Sequence, residues 1–127
     1  MKDIDILTVS FASVIYFIMY LVWYSKLLVG KVYDSILQKT HKKTVLNYVL
    51  VFVSIFILSY IIALFEVLIG IATFWDGVFF GLLIWFGFIL THSLFLVVSF
   101  KRNFKLFVLD NLLYLFAMML VGGILAG

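Results

Sequence analysis

Val45-Leu46-Asn47-Tyr48-Val49-Leu50-Val51-Phe52-Val53-Ser54-Ile55-Phe56-Ile57-Leu58-Ser59-Tyr60-Ile61-Ile62-Ala63-Leu64-Phe65 is uncharged from end to end and holds neither proline nor glycine. About 20 apolar residues in a helix cross roughly 30 Å of hydrocarbon. This run is long enough to do so and can continue to Ile69. Its core, Val49-Leu50-Val51-Phe52-Val53, is apolar at every position. A membrane β-barrel strand is shorter and alternates in and out, so that reading fails. Apolar residues on all faces of one helix mean burial or lipid.

Three further runs have the same character. The spans read at about 6–28, 45–67, 75–100 and 104–126. The whole chain explains why they cannot all be buried in a soluble core. Its hydrophobic share is 67% and its charged share 12%, against roughly 45–50% and about 25% in soluble proteins. A domain of 127 residues leaves a large part of its surface exposed and has nowhere to hide that excess. A soluble enzyme, a nucleic-acid-binding domain and a disordered chain are excluded. The expected fold is an all-α polytopic membrane protein, a bundle of four transmembrane helices forming one domain over residues 1–127.

Local signals set the boundaries. Thr73-Phe74-Trp75-Asp76 has the form of a capping box at the start of the third span. Thr44 and Asn103 are N-cap residues in position for the second and fourth. Gly30 follows the first apolar run, where a C-terminal cap often sits. Val32 to Gln38 reads either as a short interfacial helix or as an extension of the first span. The N-terminal run is too long for the apolar segment of a cleaved signal peptide and is read as a retained span.

The cations gather in two connections. Lys26, Lys31, Lys39, Lys42 and Lys43 lie in or beside the first, and Lys101, Arg102 and Lys105 in or beside the third. The second holds only Glu66 and Asp76. The positive-inside rule then puts loops one and three in the cytoplasm and both termini outside. The net charge of +3 is a property of membrane flanks, and no nucleic-acid partner is expected. The expected location is the cytoplasmic or plasma membrane.

The first span closes with Trp23-Tyr24-Ser25-Lys26-Leu27-Leu28-Val29-Gly30-Lys31. This is similar to the W-Y-S-P-L-L-F-G-K segment that ends the first helix in a family of small bacterial membrane proteins, the domain of unknown function 1761. Gly81-Leu82-Leu83-Ile84-Trp85-Phe86-Gly87-Phe88, Thr91, Lys105-Leu106-Phe107, Asp110-Asn111 and Gly122-Gly123-Ile124-Leu125 follow the same family's order. Three positions depart from it: Lys26 replaces a proline, His92 replaces a small or hydroxyl residue, and Asp110-Asn111 replaces an Asn beside small residues. The resemblance implies four membrane helices and carries no activity with it.

Ionisable groups inside a span are costly and usually functional. His92 and Asp110 are the two candidates. His92 precedes Lys101 by nine residues and Asp110 follows Asn103 by seven. At roughly 1.5 Å per residue they lie about 13 and 10 Å from that turn, at similar depth. A pairing of the two would hold the imidazole charged and form part of a proton- or ion-linked site. The competing reading is a polar contact that fixes helix packing. Asp110 could also reach toward Lys105 or the helix N-terminal dipole. Asn111 belongs with this polar site because a buried amide needs several partners. Thr91 also flanks His92, though it and Ser93 more readily bond back to the preceding turn. Glu66 and Asp76, near the outer surface, are expected to be solvated.

Trp23, Tyr24 and Trp75 have the placement of interfacial anchors, with Lys26 extending its amine to the headgroups. Ser10, Ser13, Phe17, Tyr20 and Tyr24 form a stripe read as packing with satisfied hydroxyls. Gly77-x-x-x-Gly81 and Gly123-x-x-x-Gly127 have the spacing of close helix contact. The chain has no cysteine and two histidines, which argues against thiol chemistry, disulfides and a bundle-held di-haem. No phosphate loop or nucleophile–base motif is present. No cofactor or metal is expected, and an enzyme is the weakest reading. The leading expectation is a small oligomeric channel or transporter-like protein built around His92 and Asp110. The alternative is a non-catalytic structural or interaction module in the bilayer. Partners are the lipid bilayer and further copies of the chain; the ion or small-molecule substrate is open.

Overall fold

A computed structural model describes residues 4–25, 45–101 and 103–127. It is all-helical over these residues. Helix α1 spans Ile6–Trp23, α2 Val45–Ile69, α3 Phe74–Ile84, α4 Thr91–Phe100 and α5 Phe104–Ala126. A π-helical segment, Trp85–Leu90, joins α3 to α4. The third span is therefore one helical run, Phe74–Phe100, with a widened centre. All four spans are long and apolar enough to cross a membrane, and the chain is read as a multi-pass membrane protein. Gly30, Lys26, Thr44 and the Val32–Gln38 segment lie outside the described residues.

The caps follow from side-chain chemistry. Asp5 accepts from the Leu7 amide at 3.0 Å and from the Thr8 hydroxyl at 2.9 Å, starting α1. Thr73 Oγ1 accepts from the Asp76 amide at 3.2 Å, starting α3. Asn103 Oδ1 accepts from the Lys105 amide at 2.9 Å and starts α5. Each satisfies an amide that has no partner within the helix. α2 ends where Gly70 takes φ +90°, and the Gly70 and Ile71 amides both donate to the Glu66 carbonyl. Only glycine takes that conformation without steric cost.

α1 ends at Trp23, where Tyr24 turns out of helical geometry; the expected continuation of the first span to residue 28 lies outside the described residues. The turn coincides with side-chain bonds from Trp23 and Tyr24 to α5.

α5 is the hub. Its buried residues include Leu113, Ala117, Met118, Val121 and Gly122, and it packs against α1, α2 and α3. The α3–α5 contact is the most extensive because glycines remove side chains from it. A Cβ added at Gly77 would come within 2.2 Å of the Gly122 carbonyl oxygen. One at Gly81 would come within 2.1 Å of the Met118 carbonyl oxygen. The facing residues on α5 are thus Gly122 and Met118. Gly123 faces the Phe74 and Val78 side chains, and Gly127 lies beside Phe74. On α1 the buried positions are Val9, Ala12, Ser13 and Tyr16. The hydroxyl-and-ring stripe shares only Ser13 with them. Ser13 donates to the Val9 carbonyl and Phe17 packs edge-on against Phe52.

The outer faces are apolar and open: Phe11, Ile18, Val53, Ile57, Phe86, Phe95 and Phe116 are all exposed. In water this surface would be prohibitive; in a bilayer it is the lipid contact.

Candidate functional site

Polar groups collect at three places. Two lie at opposite ends of the bundle and the third on its outside.

At the basic-loop end, α1 and α5 are tied by their side chains. The Trp23 indole Nε1 donates to the Leu109 carbonyl at 3.1 Å. The Tyr24 hydroxyl donates to Asp110 Oδ1. Tyr114, one turn beyond Asp110, lies in electrostatic range of Asp110, Tyr24 and Tyr20, and the Tyr20 and Tyr24 rings are 5.3 Å apart. Asn111 is buried, and its Nδ2 donates to the Phe107 carbonyl at 2.9 Å. Its Oδ1 is buried with no hydrogen-bond partner among the described residues. A carboxylate that accepts from a phenol in a low-dielectric setting makes a strong, oriented bond. Trp23 and Tyr24, read from sequence as interfacial anchors, both bond to α5. Lys26 lies outside the described residues. Trp75 is at the opposite end, exposed, with its ring edge-on to Phe74 at 5.3 Å.

His92 stands apart from this cluster. It is exposed on α4 and its ring stacks on Phe95 at 6.4 Å. Among the described residues no hydrogen bond joins it to Asp110, which accepts from Tyr24. No residue from Trp85 to Phe100 is fully buried, though Trp85 and Ile89 still pack partly against the core. Thr91 donates from Oγ1 to the Gly87 carbonyl at 2.8 Å and so closes the wide π turn. π segments in α-helices occur often at functional sites.

At the other end of the bundle, which carries Asp5, the α2–α3 connection and the end of α5, a cleft of about 390 Å³ opens between α1, α2 and α5. Glu66 lines it. Its expected solvation is corrected by the structure: Glu66 is 2% exposed. Both carboxyl oxygens are buried with no hydrogen-bond partner among the described residues. The reason is its face of α2, where Ile55, Ser59, Ile62, Ala63 and Glu66 turn inward together. The small residues Ser59 and Ala63, at helical spacing before Glu66, are the sequence signal for that face. Asp76, also expected to be solvated, is exposed. Among the described residues no group of three or more His, Cys, Asp or Glu could hold a metal.

The family model described as Protein of unknown function (DUF1761) matches residues 7–126. No curated protein and no solved structure matches the chain. The match covers almost all of the chain, and the chain belongs to that family.

Proposed function

We propose that this member of the family is a homo-oligomeric, channel- or transporter-like protein of a cellular membrane, with copies meeting along α4 and a polar path running past His92. The observation that carries this reading is the outward imidazole. His92 lies well inside the span, yet it is exposed and bonds to no described residue. Polar side chains at that depth avoid lipid and turn to protein or to a wet cavity. A second copy against α4 supplies that cover. Four close-packed helices fill their own interior with side chains, so a path between copies is the arrangement open to them.

In this reading His92 and Thr91 line the contact between copies. Trp23 and Tyr24 hold α1 against α5 through Leu109 and Asp110, and Asn111 lies beside them on α5. Loops one and three are cytoplasmic, following their lysines. Reconstituted vesicles test the activity. Wild-type protein should conduct at least one ion of a broad panel, and His92→Ala should reduce that flux at least tenfold. No flux from wild type, or equal flux from the variant, would sink the proposal.

One observation favours the non-catalytic alternative, a module that packs against other membrane proteins. The Tyr24–Asp110 and Trp23–Leu109 bonds use the polar residues of the basic-loop end for architecture. Under that reading the same vesicles carry no flux.

A further inference from the structure

We propose that the cleft at the Glu66 end of the bundle is a binding site for a small organic cation bearing N–H groups, a protonated primary amine, held by the Glu66 carboxyl. This goes beyond the reading built on His92, which uses a different face and the opposite half of the bundle.

The strongest reason is Glu66 itself. A buried carboxyl normally has its oxygens occupied by donors, and leaving them empty is costly. Both oxygens of Glu66 lack a hydrogen-bond partner among the described residues, and Glu66 lines an open volume. The cleft is in the size range of small-molecule sites.

The surrounding charge selects a cation. α2 and α5 both end at the cleft, with Gly70 and Ile71 on one side and Leu125 to Gly127 on the other. Helix C-termini carry partial negative charge. Asp5 also borders the cleft but is committed to capping α1 through Leu7 and Thr8. No Lys, Arg or His lines it among the described residues. The lining then selects the type of cation. A bare metal ion wants several oxygen ligands in a tight shell, and a cleft with one free carboxyl does not supply them. Quaternary ammonium groups are recognised by aromatic cages, and no aromatic residue lines this cleft among the described residues. A primary ammonium offers three N–H donors to the empty oxygens. Val9, Ala63, Val67 and Ile71 give a short alkyl chain its apolar wall.

Titration calorimetry on the full chain in lipid nanodiscs, with n-butylammonium chloride as the probe, tests this. Wild type should bind saturably, one probe per chain. Tetramethylammonium and sodium should bind at least tenfold more weakly. Glu66→Gln keeps the side-chain size and should weaken butylammonium at least tenfold, the usual weight of a charge-assisted hydrogen bond. Ala72→Leu changes an exposed residue at the lip of the cleft and should weaken it similarly by filling the space. Asp76→Asn changes an exposed carboxylate outside the cleft lining and should change affinity less than threefold. Each variant is first checked for monodisperse elution and an unchanged helical spectrum. Absence of saturable butylammonium binding overturns the proposal. So does equal binding by a folded Glu66→Gln protein, or sodium binding as tightly as the amine. An equal loss in Asp76→Asn also overturns it, because that marks general acidic attraction. None of these results depends on whether copies meet at α4.

Discussion

Tyr24 and Asp110 stand 86 residues apart in sequence and share a hydrogen bond. Tyr24→Phe removes the donor and leaves a half-buried carboxyl without that partner. A loss of about 1–3 kcal/mol is expected, read as a lower unfolding temperature in detergent. Asp110→Asn should cost less, since an amide oxygen still accepts. The double variant should lose less than the two singles combined, which a double-mutant cycle checks. Glu66 should behave in the opposite way. Glu66→Met replaces a carboxyl lacking a partner by an apolar chain of similar length and should raise stability by about 1–3 kcal/mol. A destabilised Glu66→Met would mean that the carboxyl has a structural role. Residue count along a helix gives an expected height for His92 and for Asp110 from the sequence. It did not reveal their partners, because height says nothing about which way each helix is rotated. Rotation is set by packing, which turns Asp110 toward Tyr24 and leaves His92 outside. Glu66 escaped for the same reason: its place near a helix end suggested solvent, and its azimuth decided burial.

The glycines divide by what faces them. Gly81 lies against the Met118 backbone, and an added Cβ would approach its carbonyl oxygen to 2.1 Å. Gly81→Ala must push α3 from α5 and should cost about 1–3 kcal/mol or more. Gly87 has nothing within 4 Å of an added Cβ. Gly87→Ala should be neutral or stabilising by up to about 1 kcal/mol, the helix-propensity difference. Thermal unfolding of the two variants, side by side, checks both. A Gly87→Ala loss as large as that of Gly81→Ala would show that the π segment depends on glycine. The apolar runs and N-cap residues made the helices and several of their ends readable. The π segment was not readable. Nothing in Trp85-Phe86-Gly87-Phe88-Ile89-Leu90 breaks a helical pattern, and no proline announces a defect. A single widened turn is a compromise between packing on either side of it, and such compromises leave no composition signal. After Ile84, where α3 ends, no residue up to Phe100 is fully buried, and Trp85 and Ile89 keep partial packing on the core.

Taken whole, the chain is a bundle centred on α5, with the second half of the third span loosely attached. The four-span fold class followed from hydrophobic excess alone, because lipid imposes its length on any helix that crosses it. How the spans pack together depends on small residues whose partners lie far away in sequence, such as Gly77 and Gly122. On the proposed reading, a monomer that presents an imidazole to lipid is incomplete, and a second copy on α4 completes it. Oxidative cross-linking of single-cysteine variants in intact membranes tests this most directly, since the chain has no cysteine of its own. Val53, exposed on α2 at comparable depth, serves as the reference position. His92→Cys should form a disulfide-linked dimer readily, while Val53→Cys at equal expression stays monomeric. Cross-linking at His92→Cys no faster than at Val53→Cys would contradict an assembly through α4.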